Sequence, residues 1–128
     1  MLVLIADDDP ETCTLVAAIL NGAGHRTMLA RDAIQALQLG VQRQPDAIVL
    51  DIMMPAGTGV GALEKLKQNS RTAEIPVVIL SGVTDPAKIA KVRQLGAADF
   101  LPKPVDAEAL LSAITAVAPP GDGGSAPA

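Results

Sequence analysis

Short apolar runs alternate along the chain with segments whose apolar residues recur at helical spacing. Leu2–Ala6, Ala47–Leu50 and Ile75–Leu80 contain almost no polar residue, the pattern of strands buried on both faces. Arg26–Ala30 is more polar, and the run around Asp99–Leu101 is shorter, as edge strands tend to be. Helices are predicted between and after these runs. Asp9 caps the first, with Pro10 in its opening turn. Its inward stripe is Leu15, Val16, Ile19 and Leu20, and Asn21-Gly22 end it. Asp32 caps the second, which turns Ala33, Ile34 and Leu37 inward. The third carries Leu63 and Leu66. The fourth opens at Asp85-Pro86 and presents Ile89, Val92 and Leu95. The last, from about Asp106, buries Leu110, Leu111, Ile114 and Val117.

Five such β–α units predict an α/β fold, (βα)5, with a doubly wound five-stranded parallel sheet. The order 2-1-3-4-5 puts the three apolar runs inside and the two weaker ones at the edges. Its topological switch point lies between strands one and three. A β/α barrel needs eight units and is excluded by length. Pro119–Ala128 has no apolar period and reads as a flexible tail or linker stub, which leaves residues 1–118 as one domain.

Composition narrows the picture. The 128 residues are 49% hydrophobic with one aromatic, Phe100, so the core rests on aliphatic side chains. The net charge of −4, with no basic stripe or aromatic platform, argues against nucleic-acid binding by this chain itself. Cys13 is the single cysteine. It permits no internal disulfide, fits a cytoplasmic setting, and reads as a buried helix thiol. Met1–Ala6 is too short for a membrane span or signal peptide.

The chemistry sits where the apolar runs end. Asp7 and Asp8 follow the first, Asp51 the third, Ser81 the fourth, and Lys103 lies just past the fifth. In parallel strands these groups converge on the carboxyl edge of the sheet, where open α/β sheets bind ligands. Three clustered carboxylates repel, by about 4 kcal/mol per pair at 4 Å and an effective dielectric near 20. A hard dication such as Mg²⁺ relieves this through oxygen ligands. Lys103 either neutralises the acids or binds phosphoryl oxygens, and Ser81 offers a hydroxyl donor. Asp51 is placed to act as a carboxylate nucleophile toward phosphorus. His25 reads as an exposed strand-start residue, and Met53-Met54 as packing rather than a soft metal pair.

Four motifs then carry a resemblance: Ala6-Asp7-Asp8-Asp9-Pro10, Leu50-Asp51-Ile52-Met53-Met54-Pro55, Ile79-Leu80-Ser81-Gly82, and Gly96-Ala97-Ala98-Asp99-Phe100-Leu101-Pro102-Lys103-Pro104. In this order and spacing, over about Met1–Val117, the chain resembles the receiver domains of two-component response regulators. The resemblance implies a chemotaxis-regulator-like, flavodoxin-like fold. It implies Asp51 as phosphoacceptor and Mg²⁺ held by Asp8, Asp51 and the Met53 carbonyl, with Asp7 acting mostly through water. Ser81 and Lys103 would contact the phosphoryl oxygens, and Gly82 would leave room for the donor. Phe100 would turn inward as a switch when Ser81 moves, and the Lys103-Pro104 bond would be cis. The donor would be a histidine kinase or a histidine phosphotransfer domain. The output partner or domain is unassigned, and a phosphorylation-dependent homodimer is compatible with the family.

Two departures matter. Ala56-Gly57-Thr58-Gly59 stands where many relatives have Met-Asp-Gly, a more pliable loop. Met53 and Val83, at positions that tune loss of the phosphoryl group in this family, are both apolar. Neither can orient a water, which implies a comparatively long-lived phosphoform. Two rivals use the same residues: a small Mg²⁺-dependent phosphatase acting on free substrates, and a degenerate receiver that only binds proteins. The first lacks an insertion to supply a lid or further acid/base group, and the intact acids, hydroxyl and lysine oppose the second.

Overall fold

A computed structural model describes residues 1–52, 59–82 and 86–117. Asp85, Met53, Val83, the loop from Met54 to Thr58 and the tail from residue 118 lie outside the described residues. Five strands, β1 (Leu2–Ala6), β2 (Arg26–Ala30), β3 (Ala47–Asp51), β4 (Val77–Ser81) and β5 (Asp99–Pro102), alternate with five helices. These are α1 (Pro10–Gly22), α2 (Ala33–Arg43), α3 (Gly59–Gln68), α4 (Pro86–Gln94) and α5 (Ala107–Val117). The strands form one parallel sheet in the order β2-β1-β3-β4-β5, as strand character predicts. Among the described residues, no helix is long and apolar enough to cross a membrane.

Alternation along the strands divides the core into two layers. Leu4, Ile48, Leu50, Val77 and Ile79 face one side and pack with Ala36 of α2, Leu63 and Leu66 of α3 and Val92 of α4. Val3, Ile5, Val49, Val78 and Leu80 face the other, against Cys13, Val16 and Leu20 of α1 and Leu110, Ala113 and Ile114 of α5.

Local signals set the helix starts. The Asp9 carboxylate accepts from the Glu11 N–H, Asp32 from the Gln35 N–H, and Asp106 from the Ala109 N–H. Several sequence expectations are corrected. Leu15 is 46% exposed and Ile34 66% exposed, not inward. In α1, Cys13, Val16 and Leu20 share the buried face, and a residue one step round the helix from Val16 turns away. In α2 the inward positions are the small residues Ala36 and Gly40, and Ile34 lies opposite Ala36. α1 does end at Gly22, as predicted, and the left-handed glycine of the turn that follows is Gly24, at φ +93°. β4 begins at Val77 rather than Ile75. Pro76 has no N–H to give a ladder, and the Ile75 N–H is spent on the Thr72 carbonyl.

Gly40 lets α2 and α3 approach closely. A Cβ there would stand 3.3 Å from Leu66 Cδ2 and 3.3 Å from Thr72 Cγ2, both fully buried. Gly40→Val should therefore lower stability by about 1–3 kcal/mol, seen as a reduced urea midpoint with unchanged slope. An unchanged midpoint would show that the helices part without cost.

Candidate functional site

Strand register brings the sequence's chemical groups together. Ala6 pairs with Leu50, so Asp7 and Asp51 reach the carboxyl edge side by side at the switch point. Asp7 lies two residues past Ile5 and Asp51 two past Val49, both on the α1/α5 side by alternation. Lys103, two past Leu101, arrives on the same side; its Nζ donates to Asp7 Oδ2 at 3.0 Å and Asp51 Oδ2 at 3.3 Å. Asp8 completes the group: one carboxylate oxygen from each of Asp7, Asp8 and Asp51 lies within 4.8 Å of the others. Asp7 and Asp51 are buried and Asp8 is exposed.

Ser81 approaches from the other face. It ends β4 opposite Pro102, is fully buried, and its carbonyl accepts from the Lys103 N–H at 2.9 Å. Phe100 pairs with Ile79 and is partly buried in the α2/α3/α4 layer. Ser81 and Phe100 thus share one sheet face, two register positions apart. The Lys103-Pro104 bond is cis, as the family resemblance implied. Met53, whose carbonyl the resemblance named as a ligand, lies outside the described residues. His25 is half-buried rather than exposed, with Nδ1 3.2 Å from the amino-terminal nitrogen. Cys13 is buried, as expected.

Asp7 is held at every polar atom. Its N–H donates to the Ala30 carbonyl at 3.0 Å and its carbonyl accepts from Cys13 Sγ at 3.2 Å. Oδ1 accepts from the Asp9 N–H at 2.9 Å, and Oδ2 from Lys103. The sequence pattern marks Asp9 as a cap and Cys13 as a buried thiol, but carries no sign that both donate to Asp7. An open cleft beside Lys103 is lined by Asp9, Thr12, Leu15 and Val105, among others, which accounts for a leucine left outside the core.

Electrostatics follow from this packing. Burial pushes the Asp7 carboxyl above the usual carboxylate range, more than the Asp9 N–H and Lys103 pull it down, and Asp51 adds repulsion. Burial works against the Lys103 ammonium, but the hydrogen bond to Asp7 and the charges of Asp51 and Asp7 outweigh it and hold Lys103 above its ordinary value. A carboxyl with a raised folded pKa binds more protons folded than unfolded, so its contribution to stability falls as pH rises through that window. Without divalent ions, Asp7→Asn should therefore be more stable than the parent near neutrality, by on the order of 1 kcal/mol. The gap should close toward about pH 4. Urea unfolding in chelator at both pH values checks this; a variant less stable at neutrality would contradict it.

The donor set fits a hard divalent cation: three carboxylates, no thiolate or imidazole among them, and a lysine already acting as counter-cation. The same set can carry a carboxylate nucleophile and neutralise a phosphoryl group.

The family model for the response regulator receiver domain matches residues 3–115. The chain is 38% identical over 115 residues to the DNA-binding dual master transcriptional regulator RpaA of Synechocystis, covering 90% of this chain and 48% of that protein. It is 35% identical over 115 residues to Protein PilH of Pseudomonas aeruginosa, covering 90% and 95%. The chain thus spans about half of the first relative and nearly all of the second. Among solved structures, it resembles chemotaxis protein CheY4 of Vibrio cholerae at TM-score 0.85 and 29% identity, covering 91% of this chain and 97% of that one. It also resembles the receiver domain of NtrX from Brucella abortus at TM-score 0.84 and 32% identity, covering 90% and 96%. These relatives favour neither the phosphatase nor the degenerate-receiver reading. The chain belongs to the receiver domains of two-component response regulators.

Proposed function

We propose that Asp51 accepts a phosphoryl group from the phosphohistidine of a histidine kinase or histidine phosphotransfer domain, in the cytoplasm. The observation that carries this is the meeting of Asp7, Asp8 and Asp51 within 4.8 Å, with Lys103 bonded to two of them. A carboxylate oxygen of Asp51 attacks phosphorus. The new O–P bond forms as the N–P bond breaks, and the electron pair returns to the donor's imidazole. Mg²⁺, held by Asp8, Asp51 and the Met53 carbonyl with Asp7 acting through water, would supply charge neutralisation for the phosphoryl oxygens. Lys103 turns an N–H from the acids toward one of those oxygens, and the Ser81 hydroxyl donates to another. Among the described residues, nothing lies within 4 Å of a Cβ placed at Gly82, which suits an approaching donor. The added charge then shifts a two-state equilibrium through Ser81 and Phe100. The domain occupies residues 1–118, and it catalyses only its own phosphorylation and dephosphorylation.

The test is labelling by acetyl phosphate with Mg²⁺. Intact mass should rise by one phosphoryl group, and hydroxylamine should remove it, as for an acyl phosphate. With Met53 and Val83 apolar, the label should last minutes or longer. No label, or a hydroxylamine-stable one, would sink the assignment, and loss within seconds would refute the long lifetime.

A further inference from the structure

Asp9 lies outside the cluster of carboxylates, yet its backbone supplies one of the two donors to a buried one. Its N–H donates to Asp7 Oδ1 at 2.9 Å. That peptide is fixed from the far side by the Asp9 side chain. Oδ1 accepts from the Glu11 N–H at 3.1 Å, and Oδ2 from the Thr12 hydroxyl at 2.7 Å. The backbone of Asp9, at φ −86° and ψ 111°, is the extended conformation of a helix N-cap. Both carboxylate oxygens of Asp9 are thus anchored on the first turn of α1, and the N–H of the same residue is aimed at Asp7. Asp7 Oδ2 is taken by Lys103, and the Asp9 N–H is the donor to Oδ1.

We infer that Asp9, locked by Thr12 and the Glu11 N–H, is a positioning residue for the Asp7 carboxylate. Through it, the cap of α1 sets the affinity of the site for a divalent cation. The inference rests on the proposed function in that Asp7 must belong to the ion site. It assigns Asp9 no contact with the ion. Removing the cap frees the peptide before α1 to rotate, and Asp7 Oδ1 loses the donor that fixes its orientation. Groups that orient metal-binding carboxylates typically contribute about tenfold or more to affinity.

The measurement is Mg²⁺ binding by calorimetry, on the full chain at a temperature where circular dichroism shows every variant folded. Asp9→Ala should weaken binding roughly three- to tenfold, at or below the lower end of that range. Asp9→Asn keeps the Oδ1 acceptor for the Glu11 N–H, while its Nδ2 donates to the Thr12 hydroxyl, in a neutral side chain that caps equally well, and should bind like the parent. Thr12→Val removes one of the two anchors and should weaken binding about twofold, with little risk to folding. Equal affinity for Asp9→Ala and parent would overturn the inference and make the cap merely structural. An Asp9→Asn loss as large as that of Asp9→Ala would also overturn it, by showing that the charge of Asp9 acts instead of its geometry. A parent chain that binds no Mg²⁺ would overturn the reading of the site itself, an outcome distinct from either. If Asp9→Ala fails to fold, Asp9→Asn and Thr12→Val decide.

Discussion

Asp51→Asn should abolish labelling by acetyl phosphate, a loss of more than about 10⁴-fold on the scale seen when a nucleophile is removed. The amide that replaces the carboxylate has its nitrogen lone pair delocalised and its oxygen uncharged, so no strong nucleophile remains at the end of β3. Neighbouring carboxylates do not substitute, because Asp7 is clamped by two donors and Asp8 is exposed at the rim. The same change removes one of three charges that lie within 4.8 Å of one another. Such a pair repels by about 3–4 kcal/mol at an effective dielectric near 20, part of which Lys103 offsets. The variant should therefore melt no lower than the parent in chelator, and its Mg²⁺ affinity should fall. Mass spectrometry beside a thermal melt separates lost chemistry from lost folding. Label retained by a folded Asp51→Asn protein would place the phosphoryl group elsewhere.

Lys103→Met should have the largest effect on stability. The ammonium bridges two buried carboxylates at 3.0 and 3.3 Å, and its own side chain is only 23% exposed. Removing one partner from a buried charge set leaves the others uncompensated, at a cost of about 3 kcal/mol at the lower end of the usual range. Divalent cation should return much of this, since a ligand at a hundred times its dissociation constant stabilises by about 2.7 kcal/mol. The pH dependence has a definite sign. Lys103 is held above its ordinary value, so its contribution is complete below the ordinary lysine value and is lost only as pH rises through the raised one. On the acid side the gap between parent and variant should narrow as Asp7, whose value is raised, takes up its proton. Urea unfolding in chelator and in Mg²⁺ checks both limbs. A variant as stable as the parent in chelator would mean that the carboxylates do not depend on the ammonium.

The sheet was legible because strand character is a burial signal. Leu2–Ala6 and Ala47–Leu50 are apolar throughout, and the structure buries both strands almost completely. That placed β2 and β5 at the edges and the acids at the switch point. The meeting of Asp7, Asp51 and Lys103 followed from counting residues past each strand. Helix faces were less legible. The apolar residues of α1 surround much of the helix, so Leu15 and Val16 compete for the core and only packing against α5 decides. In α2 the buried positions are Ala36 and Gly40, small residues that carry little hydrophobic signal, while Ile34 carries a strong but misleading one. The donors to Asp7 from Asp9 and Cys13 were invisible because each depends on backbone direction after β1. Pattern and periodicity do not encode that direction.

Two separate cores border the site. The carboxylates and Lys103 hang on the layer built with α1 and α5, while Ser81 and Phe100 belong to the layer built with α2, α3 and α4. The sheet is thus a partition between two packed compartments that share its strands. Ion affinity could then drift under selection while the layer around Phe100 stays fixed, or the reverse. A chimera that takes one layer from a relative and keeps the other would inherit the acids and Lys103 from one parent and Ser81 and Phe100 from the other.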